Sequence, residues 1–243
     1  MDLVFATGNA GKLREAAEIL GPAYRVLSPA DVGLPGFDVE ETGTTFRENS
    51  LLKARALWQA CGLPCFADDS GLEVDALGGA PGIYSARYAS DHNFASNIDR
   101  LLTELEAAFQ GGNASDPVRG LAAHPSQAGA WAPPSNVAEG GTPLGGAAPL
   151  ERHMAPATFP GAARFRCVVT LILEDGKPRF FDGACEGRIA RERHGSGGFG
   201  YDPVFVPDLY PNLTMAELSE EAKNAISHRG VALRLMSSWL SCR

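Results

Sequence analysis

No stretch of this chain approaches the run of about 18 apolar residues that a membrane-crossing helix needs, so no membrane partner is expected. Positive charge is scarce as well. The 243 residues carry 21 Lys and Arg against 29 Asp and Glu, a formal net charge of −8 and a pI near 5.1. Proteins that track a nucleic-acid backbone need a basic surface, so that class is excluded. A nucleotide pocket is not, because a few local cations suffice there. Cysteines are few and unpaired by spacing. Cys61, Cys65, Cys167, Cys185 and Cys242 are odd in number and scattered, which gives no disulfide framework. Cys61 and Cys65 have no second Cys or His pair at zinc-site spacing. All five are expected to be reduced, buried thiols. The opening Met1-Asp2-Leu3-Val4-Phe5-Ala6 is acidic with a very short apolar run, so no signal peptide and a cytoplasmic location are expected. No internal repeat is visible.

What is present is an α/β pattern. Leu3 to Ala6 is an apolar run before a glycine-rich turn and predicts a buried strand. Lys12 to Leu20 places Leu13, Ala16, Ala17 and Leu20 at helical spacing, and Gly21-Pro22 stops it. Thr45 and Glu48 fit a capping box, followed by Phe46, Ala54, Leu57 and Cys61 on one face and by Gly62 and Pro64 as terminators. Cys65-Phe66-Ala67 predicts another buried strand with Asp68-Asp69-Ser70-Gly71 at its end. Asn97 to Phe109 predicts a third helix, and Cys167 to Leu173 a strand. Asp175-Gly176 signals a hairpin leading to a return strand over Arg179 to Cys185. Thr214 and Glu217 repeat the capping-box pattern, and a last helix is expected from about Arg229 to Trp239.

Between these halves the composition changes. Residues 110–161 are rich in Gly, Ala and Pro, poor in large aliphatics and without period. Such a segment buries too little apolar surface to offset its ordering entropy. It is expected to be a mobile loop inserted in a single domain spanning 1–243.

Four constellations could carry chemistry. Thr7-Gly8-Asn9-Ala10-Gly11-Lys12 lies between a strand and a helix, where backbone N–H groups and the helix dipole favour phosphate. It is not a P-loop, because Leu13 stands where Ser or Thr would bind magnesium. Its plain alternative is a βα turn with a surface lysine. Glu40-Glu41 and Asp68-Asp69 supply carboxylates of the kind magnesium takes together with substrate phosphates. Otherwise they are solvated acidic turns. Asn49 and Lys53, four apart, share a helix face, and Lys223, His228 and Arg229 form a second cationic group. These reach phosphate or merely solvent. Phe199, between glycines in Ser196-Gly197-Gly198-Phe199-Gly200-Tyr201-Asp202-Pro203, can stack on a base or anchor a tight turn.

Taken in order, these segments resemble the inosine triphosphate pyrophosphatase family. The resemblance rests on Ala6 to Lys12, Glu40-Glu41-Thr42-Gly43, Phe46-Arg47-Glu48-Asn49, Leu52-Lys53-Ala54 and Ala67-Asp68-Asp69-Ser70-Gly71. It continues through Gly78 to Tyr88, Gly197 to Pro203, and Ile226-Ser227-His228-Arg229-Gly230. It implies an elongated, two-lobed α/β fold with a curved mixed sheet, a central nucleotide cleft and a homodimer. It also implies hydrolysis of non-standard purine triphosphates such as ITP, dITP and XTP to the monophosphate and pyrophosphate, with magnesium as cofactor. By the same resemblance, Thr7, Gly8, Asn9, Ala10, Gly11, Lys12 and Lys53 hold the triphosphate, and Asp69 is the proton acceptor and a metal ligand. Glu40 assists the metal, with Glu41 as its substitute. Ser70 contacts substrate. Phe199, Gly200, Tyr201 and Asp202 form the base-side loop, and Lys223, His228 and Arg229 complete the base and phosphate contacts. The 110–161 insert departs from the family pattern, which connects these elements more briefly. Competing readings are a pyrophosphatase for a modified pyrimidine nucleotide, or a nucleotide-binding module without turnover.

Overall fold

The computed structural model describes residues 1–111 and 157–242. Six strands form one mixed sheet in the order β2-β1-β3-β4-β5-β6. They are β1 (Asp2–Phe5), β2 (Arg25–Leu27), β3 (Cys65–Val74), β4 (Ala163–Ile172), β5 (Pro178–Ile189) and β6 (Phe205–Pro207). β1 pairs in parallel with β2 and β3, while β3 to β6 are antiparallel. The helices are α1 (Ala10–Leu20), α2 (Phe46–Cys61), α3 (Phe94–Gly111), α4 (Glu220–Ile226) and α5 (His228–Ser241). The sheet is curled, and the expected α/β architecture is what is found.

Helix ends follow local chemistry. Asn9 caps α1 by accepting from the N–H groups of Gly11 and Lys12. Thr45 caps α2 by accepting from Glu48, and Gly62, in the left-handed conformation, closes it. The return arm of the capping box is displaced by one residue, since Glu48 accepts from the N–H and hydroxyl of Thr44. At Thr214 and Glu217 both arms form.

Three apolar clusters divide the core. One, between the sheet and α1 with α5, includes Phe5, Leu20, Phe66, Leu171 and Leu233. A second, on the α2 side, includes Val4, Leu57, Cys65, Ala67 and Ile172. The alternation Val4/Phe5 and Cys65/Phe66 sends neighbours to opposite faces, the ordinary period of a strand. The third cluster, built on the far halves of β3 to β5 with α3, includes Leu72, Val74, Leu101, Phe165 and Tyr201. These clusters give the two lobes.

Two expectations change. Asp68 and Asp69 do not end their strand, because β3 runs on to Val74 in continuous antiparallel pairing with β4. It is β1 that stops, having paired only Val4 and Phe5 with Cys65 and Phe66. Both aspartates therefore lie just past the carboxyl end of β1. The end of the 110–161 stretch belongs to the folded body. Phe159 is buried against Phe109 with ring centroids 5.4 Å apart, and Thr158 bridges Ala190. Residues 110 and 111 close α3, and residues 112–156 lie outside the described residues. β2, β6 and α4 are short elements that the sequence pattern does not mark. All five cysteines are free thiols, but only Cys65, Cys167 and Cys185 are buried as expected; Cys61 is half-buried, and Cys242, at the end of α5, is exposed. Among the described residues no helix is long and apolar enough to cross a membrane.

Candidate functional site

The site lies where the β1–α1 loop, mid-β3, one face of α2 and the α4–α5 junction meet. Alternation along β3 sends its two aspartates to different faces. Asp68 meets α1 and α5. Lys12 Nζ donates to both of its carboxylate oxygens at 3.1 Å, and Arg229 Nε donates to Oδ2 at 2.9 Å. Burial alone would raise Asp68, but Lys12 and Arg229, then Lys53, hold it well below the usual carboxylate range.

Asp69 meets α2. Lys53 Nζ lies 3.5 Å from its Oδ1 and 2.5 Å from Glu41 Oε1. Burial pushes Asp69 up to about 6, against the pull of Lys53 and with a further push from Glu41. The neighbouring Asn49 amide is a smaller influence toward the ionised form. Asp69 Oδ2 is buried and makes no hydrogen bond of good geometry, and the same holds for Asn49 Nδ2. Lys53 stays charged: burial lowers it, but Asp69, Asp68 and Glu41 together raise it.

An orphaned buried carboxylate oxygen beside a second carboxylate is a donor set that suits a hard cation. Magnesium commonly takes one or two carboxylates and completes its shell with phosphate and water oxygens. Glu41, half-buried and bonded to Lys53, is the partner here. Glu40, the expected ligand, is instead exposed, so the assignment moves to its neighbour. Among the described residues no three carboxylates, histidines or cysteines converge on one point.

Arg229 ties the site together. It is 2 % exposed. Its Nε holds Asp68, Nη1 donates to Glu15 at 2.7 Å, and Nη2 lies 3.4 Å from Ser70 Oγ. α5 can deliver it because Gly183 on β5 packs directly against the backbone of His228 and Ala232, where a Cβ would collide. His228 is buried and its ring stacks on Phe165 at 4.9 Å. Burial, and then the charge of Arg229, keep it neutral.

The glycine-rich loop from Gly197 to Asp202 is built on Asp202. Its carboxylate accepts from Lys223 Nζ at 2.5 Å and from the Phe199 N–H at 2.8 Å. Gly198 makes room: at φ 74° it occupies a left-handed conformation, and a Cβ there would strike Asp202 and Lys223. Phe199 is left half-exposed, with Lys223 Nζ 4.8 Å from its ring centroid. Tyr201 is buried, and its hydroxyl donates to Ser85 O at 3.0 Å.

The cleft has an apolar part and a polar part. A cavity of about 230 Å³ is lined by Phe94, Phe165, Phe199, Gly200, Tyr201, Asp202, Lys223, His228 and Arg229, with Ser70, Lys12 and Asn9 at one side. Adjoining it are two polar cavities. One is lined by Thr7, Gly8, Asn9, Lys12, Glu41, Lys53 and Asp68, the other by Lys12, Glu41, Lys53, Asp69, Ser70 and Arg87. The expected site residues other than Glu40, Ala10 and Gly11 line these three cavities. Ala10 and Gly11 open α1 and are exposed. The N–H of Gly11 is already taken by Asn9, so that helix end offers less free backbone than the sequence suggests. Sequence reading missed Arg87 and His92, which line the polar part.

Comparison with known proteins agrees with this geometry. The Ham1 family model matches residues 3–119 and 140–239. The chain is 40% identical over 248 residues to the dITP/XTP pyrophosphatase of Thioalkalivibrio sulfidiphilus, covering 100% of both. It is 41% identical to the dITP/XTP pyrophosphatase of Yersinia pestis, covering 96% of this chain and 95% of that one. Among solved structures, a HAM1 protein from Coxiella burnetii superposes with a TM-score of 0.73 at 35% identity, covering 100% of both chains. The Ham1 protein of Staphylococcus aureus gives 0.72 at 34%, covering 100% of this chain and 99% of that one. Nearly full-length matches at these identities, together with a cleft built from the motifs that carry them, place the chain in the Ham1 family.

Proposed function

We propose that this protein hydrolyses non-standard purine nucleoside triphosphates, dITP, ITP and XTP, to the nucleoside monophosphate and pyrophosphate. One observation carries the reading: an apolar cavity beside Phe199 opens directly onto a polar pair of cavities lined by Lys12, Lys53, Asp69 and Glu41. A flat apolar base and a polyanion need such neighbours. The names of the relatives point to dITP and XTP.

In this reading Phe199 stacks on the base, over a platform that Asp202 and Lys223 hold rigid. Neutral His228 lines the base cavity, where a ring N–H can donate to a 6-oxo group and finds no acceptor in a 6-amino group. Lys12 and Lys53, with Thr7 to Gly11, receive the phosphates. Asp69, lifted by burial toward neutrality, accepts a proton from the water that attacks the α-phosphorus. Ser70 and the Asp68–Arg229 pair fix the β3 backbone beside it. Magnesium fits Asp69 and Glu41, and when bound it neutralises charge developing on the phosphate oxygens. The whole chain serves as one catalytic unit, working as a homodimer in the cytoplasm.

Product analysis in H₂¹⁸O tests this. Label recovered in inosine monophosphate, with unlabelled pyrophosphate, is expected. Release of inosine diphosphate and inorganic phosphate would contradict it.

A further inference from the structure

The three cavities of the cleft have two residues in common, Lys12 and His92. A nucleotide's base and polyphosphate are joined through its sugar. With the base in the apolar cavity and the phosphates in the polar ones, the ribose must pass the junction these residues flank. Lys12 already has a role there. His92 has none.

The turn that presents His92 is held in place by buried structure. His92 has φ 52°, the one non-glycine residue with positive φ among the described residues. Such a backbone is uncommon outside glycine and marks a place to ask about function. The His92 N–H donates to Ala86 O at 2.8 Å. The same carbonyl accepts from Asn97 Nδ2 at 3.0 Å, while Asn97 Oδ1 accepts from Ala89 and Ser90 at 2.7 and 3.0 Å. Asn97 is fully buried on α3. The turn is therefore wrapped around a buried amide, which holds its tip at the mouth of the cleft. His92 Nδ1 lies 2.8 Å from Asp91 Oδ1. Both side chains are exposed, and the imidazole stands at the mouth of the cleft.

We propose that His92 contacts the sugar of the bound nucleoside triphosphate, its imidazole hydrogen-bonding a ribose hydroxyl at the junction of the base and phosphate cavities. The inference rests on the reading of the cleft as a nucleoside triphosphate site.

The test compares ITP with its 2′,3′-dideoxy analogue in the wild type and in His92→Gly. Glycine removes the imidazole and adopts positive φ without strain, so the turn is kept. For ITP, kcat/KM is expected to fall about three- to tenfold, the range of one neutral hydrogen bond, and mainly through KM. The dideoxy analogue should be hydrolysed equally well by both proteins. An equal loss on both substrates, or no loss on ITP, overturns the assignment of His92 while leaving the pyrophosphatase reading intact. A wild type that hydrolyses neither substrate overturns both.

Discussion

Asp68 and Asp69 are consecutive in β3 yet sit in opposite electrostatic settings. Asp68 is gripped by Lys12 and Arg229 and held far below the usual carboxylate range. Asp69 is buried with one oxygen unbonded and pushed up to about 6. Strand alternation produces the difference, since each carboxylate faces a different layer of helices. Paired groups whose environments drive their pKa values apart divide labour readily. Here one aspartate is structural and the other is free to take a proton.

Asp69→Asn should therefore trade activity for stability. The amide cannot accept a proton, so turnover of ITP should fall by at least about a hundredfold. The sign of the stability change follows from burial. A carboxylate whose folded pKa lies above its unfolded value opposes folding once pH exceeds the unfolded pKa, and the cost is complete above the folded one. In metal-free buffer at neutral pH the variant should be more stable by about 1–3 kcal/mol. The gain should shrink as pH falls through about 6 toward the unfolded carboxylate range. Chemical denaturation with EDTA across that range checks it, and a less stable variant at neutral pH would contradict the assignment.

Asp68→Ala should act the other way. It leaves the Arg229 guanidinium, 2 % exposed, without its principal counter-charge. Removing one partner of a buried ion pair costs about 3–5 kcal/mol. Thermal denaturation should show a marked drop in Tm, and an unchanged Tm would mean that Glu15 alone holds Arg229 in place.

Gly198→Ala tests the base platform. The added methyl meets Asp202 and Lys223 on a backbone at φ 74°. Phe199 should lose its seat, raising KM for ITP about tenfold with little change in kcat. An unchanged KM would detach Phe199 from base recognition.

The insert calls for two deletions. Removing residues 112–156 with a short Gly/Ser bridge spares, among the described residues, every one that lines the cleft, and an active enzyme is expected. Extending the deletion through Pro160 also removes Phe159, which packs in the core against Phe109. Losing a buried phenylalanine costs about 3–5 kcal/mol, so the longer deletion should unfold at lower denaturant. Equal stability of the two would contradict this. The trypsin sites at Arg119 and Arg152 lie outside the described residues. A mobile segment should be nicked there with activity retained.

Much of the site is legible in the sequence because its motifs sit where local chemistry is strong. The loop from Thr7 to Lys12 lies between an apolar strand and a capped helix, and both neighbours announce themselves. Thr45 and Gly62 mark the ends of α2, and the Thr214–Glu217 box marks a single 3-10 turn at Met215–Glu217, by side-chain type alone. What was missed depends on tertiary placement. Glu40 and Glu41 are identical neighbours in an irregular segment, and only the position of Lys53 across the cleft selects Glu41. The continuation of β3 through Asp68-Asp69-Ser70-Gly71 reads locally as a polar turn, but pairing with β4 overrides it. β2 and β6 span three residues each, too short for any period to show. His92 had no motif to mark it. Its place depends on a buried Asn97 whose partners lie 7 to 11 residues earlier in the chain.

Discrimination between ITP and ATP bears most directly on the central claim. The measurement is kcat/KM for each, with magnesium and pyrophosphate detection. A cleft that hydrogen-bonds a 6-oxo group should favour ITP by at least about a hundredfold, because a 6-amino group leaves buried donors unpaired. Equal kcat/KM for ITP and ATP would contradict the account.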